Sequence, residues 1–372
     1  MKKALVLTNG LYQTSDAKTA HGLVRGSERF LIAGIIDNTD TANKDAGELL
    51  DGIYRNIPVF ADLNNAISAI QDAEILIIGV ATVGGKLPAE MLVIIKEAIK
   101  KGLSIVNGLH DYLNDHVDLV ALARENNSTL TDIRKPKKRE DLHFFTGNIF
   151  NIKTPIVAVI GMDCAMGKRT TARMLMQACA KENIKAEMIY TGQTGWLQGS
   201  KYGFVFDSTL NDFVSGELEN AILSCNKEVE PDIIFLEGQS ALRNPSGPCG
   251  LELLISGNAK NVVLLFAPKR IYFDNEPHWG KIPSVESEMA IIEQFGAKVI
   301  ALAMNTEGCT NEEAFAIQAS MESTLNIPVL LPIQKGVEPL VPILKSLLLK
   351  SLYRYLYFVC NCMNIIFCIP HI

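Results

Sequence analysis

Residues 154–180 read TPIVAVIGMDCAMGKRTTARMLMQACA and hold the side chains of this chain best suited to gripping an anion. Gly161 and Gly167 bracket five residues, and Lys168 follows the second glycine. Glycines in such a loop let backbone N–H groups close on a phosphate. A helix N-terminus adds partial positive charge, and a lysine adds a full one. Measured against G-x-x-x-x-G-K-[ST], the first glycine position falls on Met162, with Gly161 one residue early. Arg169 stands where a hydroxyl would hold Mg²⁺, and hydroxyls come only at Thr170 and Thr171. The anion-binding parts, Gly161, Gly167, Lys168, Arg169, Thr170 and Thr171, are present while the metal-holding part is displaced. The plain alternative is an ordinary glycine turn from strand to helix.

Such a loop works only if a buried strand delivers it and a helix leaves it. Residues 156–160 form a short β-branched apolar run, a buried strand, and a helical pattern opens at Lys168. Further on, 186–190 reads as a strand ending in Thr191-Gly-Gln-Thr-Gly195, which suits a ligand contact and equally suits a glycine turn. Pro231-Asp-Ile-Ile-Phe-Leu-Glu237-Gly-Gln-Ser240 ends an apolar run in an acid, like a Walker B strand whose carboxylate faces the phosphate. Strands at 262–266, 299–303 and 328–331 complete a sheet. The proline-rich, aromatic run 268–283 resembles a flap over a site.

Residues 1–133 alternate strand-like runs (4–7, 30–36, 59–60, 75–80, 104–106) with helical ones, clearest at 88–100 and 117–124. Alternation of this kind predicts a parallel sheet covered by helices, an α/β fold. No G-x-G-x-x-G occurs, so a dinucleotide site is not supported. Asp37 has the place of a ribose-binding acid, although a polar residue ending a strand is usually only a turn or cap. Arg134-Lys-Pro-Lys-Lys-Arg139 opens a linker over 134–153, since a basic run with a proline reads as a solvated connector. The second α/β unit spans 154–345. From 346 to 372 the chain is an atypical apolar tail whose stretch 352–369 has the minimum length of a membrane span yet contains Arg354, Asn361 and Asn364.

Composition narrows the classes. A net charge of −6 gives no electrostatic footprint for nucleic acid. The cysteines include no C-x-x-C pair, and His21, His110, His116, His143, His278 and His371 have no metal-site spacing. A reduced, cytoplasmic setting is expected, with no nucleic-acid partner. The tail is the one stretch that could touch a membrane.

Four ordered motifs, Gly161-Met-Asp-Cys-Ala-Met-Gly-Lys-Arg-Thr-Thr171, Thr191–Gly195, Asp212-Phe-Val-Ser-Gly216 and Glu237-Gly-Gln-Ser240, resemble the D-glutamate N-acetyltransferase family. Members pair a Rossmann-like domain with a P-loop domain. The amino-terminal half is similar too, in Asp45-Ala-Gly-Glu48, Ile78-Gly-Val-Ala81, Asn107-Gly-Leu-His110 and Asp132-Ile-Arg-Lys-Pro136. The resemblance covers residues 1–340 and implies a Rossmann-like domain over 1–133 and a P-loop NTPase-like domain over 154–345.

It also implies transfer of acetyl from acetyl-CoA to the amine of D-glutamate or a similar amino acid, in D-amino acid breakdown, with no metal and with small molecules as partners. A homo-oligomer is expected. The cradle, with Cys164, would hold the phosphates of CoA. Glu237, then Asp163, are the candidate general bases. Backbone N–H groups near Gly167 or Gly238 could face the oxyanion. Gln193, Thr194, Gln239 and Ser240 are candidate substrate contacts, and Arg243 and Arg270 candidate partners for carboxylates. Cys164 could instead carry the acetyl group, if its thiol were acidified. Two other functions remain open: an ATP/Mg-dependent ligase or kinase like dethiobiotin synthetase, similar in the Gly161–Gly167 spacing and the Glu237-Gly pair, and a non-catalytic nucleotide-binding regulator.

Overall fold

A computed structural model describes residues 1–349. The tail expectation over 346–372 falls almost wholly outside the described residues; of it, 346–349 are helical. Among the described residues no helix is long and apolar enough to cross a membrane. The chain divides into two compact units. The first comprises 1–142 with 192–201 and 205–211; the second comprises 143–191, 202–204 and, among the described residues, 212–349.

The first unit is a parallel sheet of β1 (Lys2–Leu7), β2 (Phe30–Ile36), β3 (Val59–Phe60), β4 (Ile75–Ile78), β5 (Ser104–Asn107) and β6 (Leu130–Asp132). Their order is β3-β2-β1-β4-β5-β6, the doubly wound order of Rossmann-like sheets. Helices α1 (Lys18–Val24), α2 (Ala46–Asp51), α3 (Leu63–Ala69), α4 (Ala89–Lys100) and α5 (Val117–Glu125) join them. The middle of the sheet is buried on both faces, so 4–7 of β1 and the whole of β4 are apolar. Successive side chains alternate between two cores. Leu5, Leu7, Leu76, Ile78 and Ile105 enter one, while Ala4, Val6, Ile75, Ile77 and Val106 enter the other.

Asp37, the candidate ribose acid, is fully buried. One carboxylate oxygen accepts from the Thr8 hydroxyl and the N–H groups of Gly10 and Tyr12; the other accepts from Thr39 and Thr41. Burial alone would raise its pKa, but these donors together leave it below the usual carboxylate range. It ties down the loop after β1 and has no acceptor capacity left for a ribose.

The second unit repeats the plan with β7 (Ile156–Gly161), β8 (Ala186–Ile189), β9 (Ile233–Glu237), β10 (Asn261–Phe266), β11 (Lys298–Met304) and β12 (Val329–Leu330), again all parallel, in the order β12-β11-β10-β7-β9-β8. Its helices include α6 (Lys168–Lys181), α8 (Asn211–Val229), α9 (Leu251–Ile255), α10 (Val285–Gln294) and α11 (Asn311–Leu325). α7 (Gln193–Leu197) lies between β8 and α8 in sequence but belongs to the first unit. There Leu197 enters the core, Arg29 stacks on Trp196 at 4.0 Å, and the Gln198 amide donates to the carbonyls of Gly22 and Gly26.

The stretch expected as a linker is partly built into the second unit. Buried Glu217 and Glu219 on α8 accept from the N–H groups of His143, Thr146 and Ile149. Gly216 permits this approach, since a Cβ there would lie 1.9 Å from the His143 carbonyl oxygen.

Candidate active site

The glycine loop leaves the carboxyl end of β7 beside β10, where the strand order reverses and ligands of open α/β sheets bind. Ala165 (φ 49°) and Gly167 (φ 95°) both adopt left-handed backbone, which turns successive N–H groups toward one side. Ala165 holds this conformation without a glycine's freedom, the kind of local strain found at ligand clamps. Among the described residues, the N–H groups of Cys164, Ala165, Met166 and Gly167 donate to nothing. They sit at the N-terminus of α6, which has 14 residues, so the loop has the geometry of an anion cradle. On the first turn Thr170 is half-buried with its hydroxyl unpaired among the described residues, and Thr171 is buried.

Lys168 is buried, and its Nζ donates to the carbonyls of Asp163 (2.7 Å) and Ser240 (2.8 Å). Desolvation lowers its pKa, opposed by Cys164 and Asp163 nearby. The lysine thus links the cradle to the turn after β9. Ser240 in that turn has φ 37°, a second strained position. Its hydroxyl meets the Cys164 thiol at 3.5 Å. Burial pushes the Cys164 thiol up, so it is protonated at neutral pH, and this geometry does not supply the acidified thiol an acetyl carrier needs.

Asp163 is wholly buried and accepts from Asn244 Nδ2 (2.8 Å), Arg270 (3.2 Å) and the Asp274 N–H (2.9 Å). It anchors the loop. Asp163, Cys164 and Asp274 lie close enough to hold an ion, yet Asn244 Nδ2 already donates toward all three. Ser246 fixes that orientation by donating N–H and hydroxyl to Asn244 Oδ1 at 2.9 Å each. A donor at the centre of a cluster suits hydrogen bonding and not a cation. Asn244 and Asp274 carry no motif spacing and were not singled out in the sequence; only the proline-rich character of 268–283 hinted that this run folds over the loop.

Glu237 ends β9, buried, with Oε2 accepting from the Thr191 N–H (3.0 Å) and Oε1 3.6 Å from the Arg169 guanidinium. Thr191 returns its hydroxyl to the Glu237 carbonyl, and the Gln239 amide donates to that hydroxyl. The acid expected beside the phosphate therefore faces an arginine on the first turn of α6. The Gly238 N–H is spent on the Val159 carbonyl, so of the two N–H groups expected to face an oxyanion only that of Gly167 is uncommitted among the described residues.

The structure thus brings together Gly161, Asp163, Cys164, Gly167, Lys168, Arg169, Thr170, Thr171, Glu237, Gln239 and Ser240. Arg243 and Arg270 carry internal partners. Arg243 is paired with Glu288, whose side chain is 2% exposed, and Arg270 spans buried Asp163 and surface Glu307. Gln193 and Thr194 belong to the first unit. The Thr194 hydroxyl is buried 3.4 Å from that of Thr19 in the packing of α7 on α1, and the Gln193 side chain accepts from Arg134 (2.7 Å).

Two parallel sheets, the second with a glycine–lysine cradle closing its first strand, define a Rossmann-like domain followed by a P-loop domain. Residues 143–341 match the P-loop domain, and 39–136 the Rossmann-like domain, of a family described as a domain of unknown function, DUF1611. The chain belongs to the DUF1611 family. A crystal structure of a DUF1611 family protein from Anabaena variabilis superposes with a TM-score of 0.85 at 26% identity, over 93% of this chain and 100% of that one. Two curated relatives are named D-glutamate N-acetyltransferase. The one from Pseudoalteromonas sp is 31% identical over 72% of this chain and 80% of its own length. The one from Tritonibacter scottomollicae is 28% identical over 74% and 82%.

Proposed function

We propose that this protein is an N-acetyltransferase that moves the acetyl group of acetyl-CoA to the amine of D-glutamate or a similar amino acid, acting in the cytoplasm in D-amino acid breakdown. The observation that carries this reading is a phosphate cradle with free N–H groups whose would-be Mg²⁺ position is Arg169, 3.6 Å from Glu237. An ATP-dependent ligase needs a hydroxyl and a carboxylate free to hold the metal; here the carboxylate faces a guanidinium. Coenzyme A brings a pyrophosphate and a 3′-phosphate, which N–H groups, Lys168 and Arg169 can bind without a metal. The names of the two relatives support the same reaction.

In this reading the substrate ammonium first loses a proton, because the protonated amine has no lone pair. Glu237 is the candidate acceptor; Asp163, saturated by its three donors, is better suited to holding the loop. The amine nitrogen then bonds to the thioester carbon, and the tetrahedral oxyanion is met by the Gly167 N–H. As that intermediate collapses the C–S bond breaks, the nitrogen gives up its second proton and the departing CoA thiolate takes up one, so that the amide and the CoA thiol are formed.

Thermal shift with CoA, and with ATP plus and minus Mg²⁺, followed by thiol release from acetyl-CoA with D- and L-glutamate, tests this. CoA should stabilise the protein without Mg²⁺, and D-glutamate should release thiol. Stabilisation by Mg-ATP alone, with ATP cleaved and no thiol released, would overturn the proposal.

A further inference from the structure

Outside the cradle, a second group of polar side chains converges at the carboxyl edge of the first unit's sheet, after β5 and β6, where open α/β sheets place their ligands. Arg134 is its centre. The guanidinium donates to His110 Nε2, to Asp207 (2.7 Å) and to Gln193 Oε1 (2.7 Å), while its Nε–H is buried with no partner among the described residues. The arrangement is rigid. Asp132 accepts from Asn107 Nδ2 and from the N–H groups of Leu113 and Asn114, fixing the loop that carries His110, and the Tyr112 hydroxyl donates to the Arg134 carbonyl. Two glycines make the approach close. A Cβ on Gly85 (φ +64°) would lie 2.4 Å from the His110 ring, and one on Gly108 would lie 2.9 Å from Gln193 Cγ.

Charge balance separates this arginine from the others. Arg243 and Arg270 have carboxylates 2% and 0% exposed, so their charges are matched inside the protein. The Arg134 side chain is 12% exposed, yet its one carboxylate, Asp207, is 44% exposed and comes from the short turn Phe206–Ser208. Burial pulls the Arg134 pKa down, as expected of a cation whose desolvation is incompletely offset, whereas that of Arg270 is raised. Burial and the Arg134 charge also lower the His110 pKa, so the ring accepts at Nε2 as a neutral imidazole. A buried guanidinium flanked by a neutral imidazole and an amide, closed by a solvent-facing carboxylate, has the composition of a carboxylate-binding site.

We propose that Arg134, His110 and Gln193 form a recognition site for the carboxylate of a small organic acid, and that the Asp207 carboxylate occupies it until the ligand displaces it. The ligand class rests on the proposed function, in which the acceptor amino acid carries two carboxylates. The sign of one substitution decides the matter. If Asp207 competes with the ligand, Asp207→Asn removes the competitor and tightens binding; if Asp207 is a ligand contact or a structural pair, the same change weakens binding or leaves it alone.

The experiment is calorimetric titration of the full chain with glutarate, a dicarboxylate with no amine to acetylate, in the absence of CoA. Asp207→Asn should bind glutarate about tenfold tighter than the unsubstituted protein, and Arg134→Lys should lose binding at least tenfold. Should Arg134→Lys fail to fold, Asp207→Asn decides alone. Equal or weaker binding by Asp207→Asn, or no glutarate binding by either protein, overturns the proposal. Glutarate binding that follows this pattern in a protein that releases no thiol from acetyl-CoA would refute the acetyltransferase reading and leave this one standing.

Discussion

Lys168 donates from its ammonium to two backbone carbonyls. Its third N–H remains for a phosphate, and the gain is a charge-assisted hydrogen bond worth about 1.5–3 kcal/mol. Lys168→Ala should therefore raise the KM for acetyl-CoA about tenfold to hundredfold in the thiol-release assay; an unchanged KM would remove the lysine from the phosphate site. Gly167 and Lys168 were legible in the sequence because their chemistry is local, a left-handed turn and a cation at a helix start. The fates of Arg243 and Arg270 were not. Nothing in sequence spacing reveals that Glu288 and Asp163 come from elsewhere in the chain to neutralise them. Arg134 and His110 stood in noticed motifs for the same reason without a role: the carboxylate that joins them, Asp207, is far along the chain.

At the scale of elements, apolar β-branched runs gave most strands to within a residue or two, since burial on both faces leaves little else to occupy those positions. β6 was missed: Leu130–Asp132 is three half-buried residues on a sheet edge, too short for a pattern. Thr191–Gly195 read equally as a ligand contact or a glycine turn, but Gln193–Leu197 is helical, held by packing that its sequence does not display. Helix α1 carries its own titration. His21 Nε2–H donates to the Tyr12 carbonyl at 2.6 Å, and burial lowers the ring's pKa below its ordinary value. The unfolded chain then binds the proton more readily, so this contribution is complete above the ordinary imidazole range and declines as pH falls through it. Urea unfolding between pH 7.5 and 5 should show stability dropping by up to about 1.4 kcal/mol per pH unit, the limit for one proton. His21→Gln should flatten that slope. An identical slope in the variant would place the titration elsewhere.

For the whole molecule, the alternation of strands and helices announced two α/β units, but a linear reading cut them at one linker. The units are interleaved in sequence instead: 192–201 and 205–211 belong with 1–142. No local signal marks that assignment, because Trp196, Leu197 and Gln198 look like any amphipathic turn until Arg29, the core and the carbonyls of Gly22 and Gly26 receive them. A fragment ending at residue 142 should therefore be markedly less stable in denaturant and more readily proteolysed than one carrying 192–211 in trans or by fusion. Equal stability of the two would show the returning segment to be dispensable.

That segment also sets a clock. A ribosome adding about 5–20 residues per second emits the last strand of the first sheet several seconds before Trp196 and Leu197 emerge. Through that interval the surface awaiting Leu197 stands uncovered, open to chaperones and to wrong partners. Birth of the amino-terminal half is thus hostage to translation of the other, and rare codons between the two stretches would be expected to lower yield even though no amino acid changes.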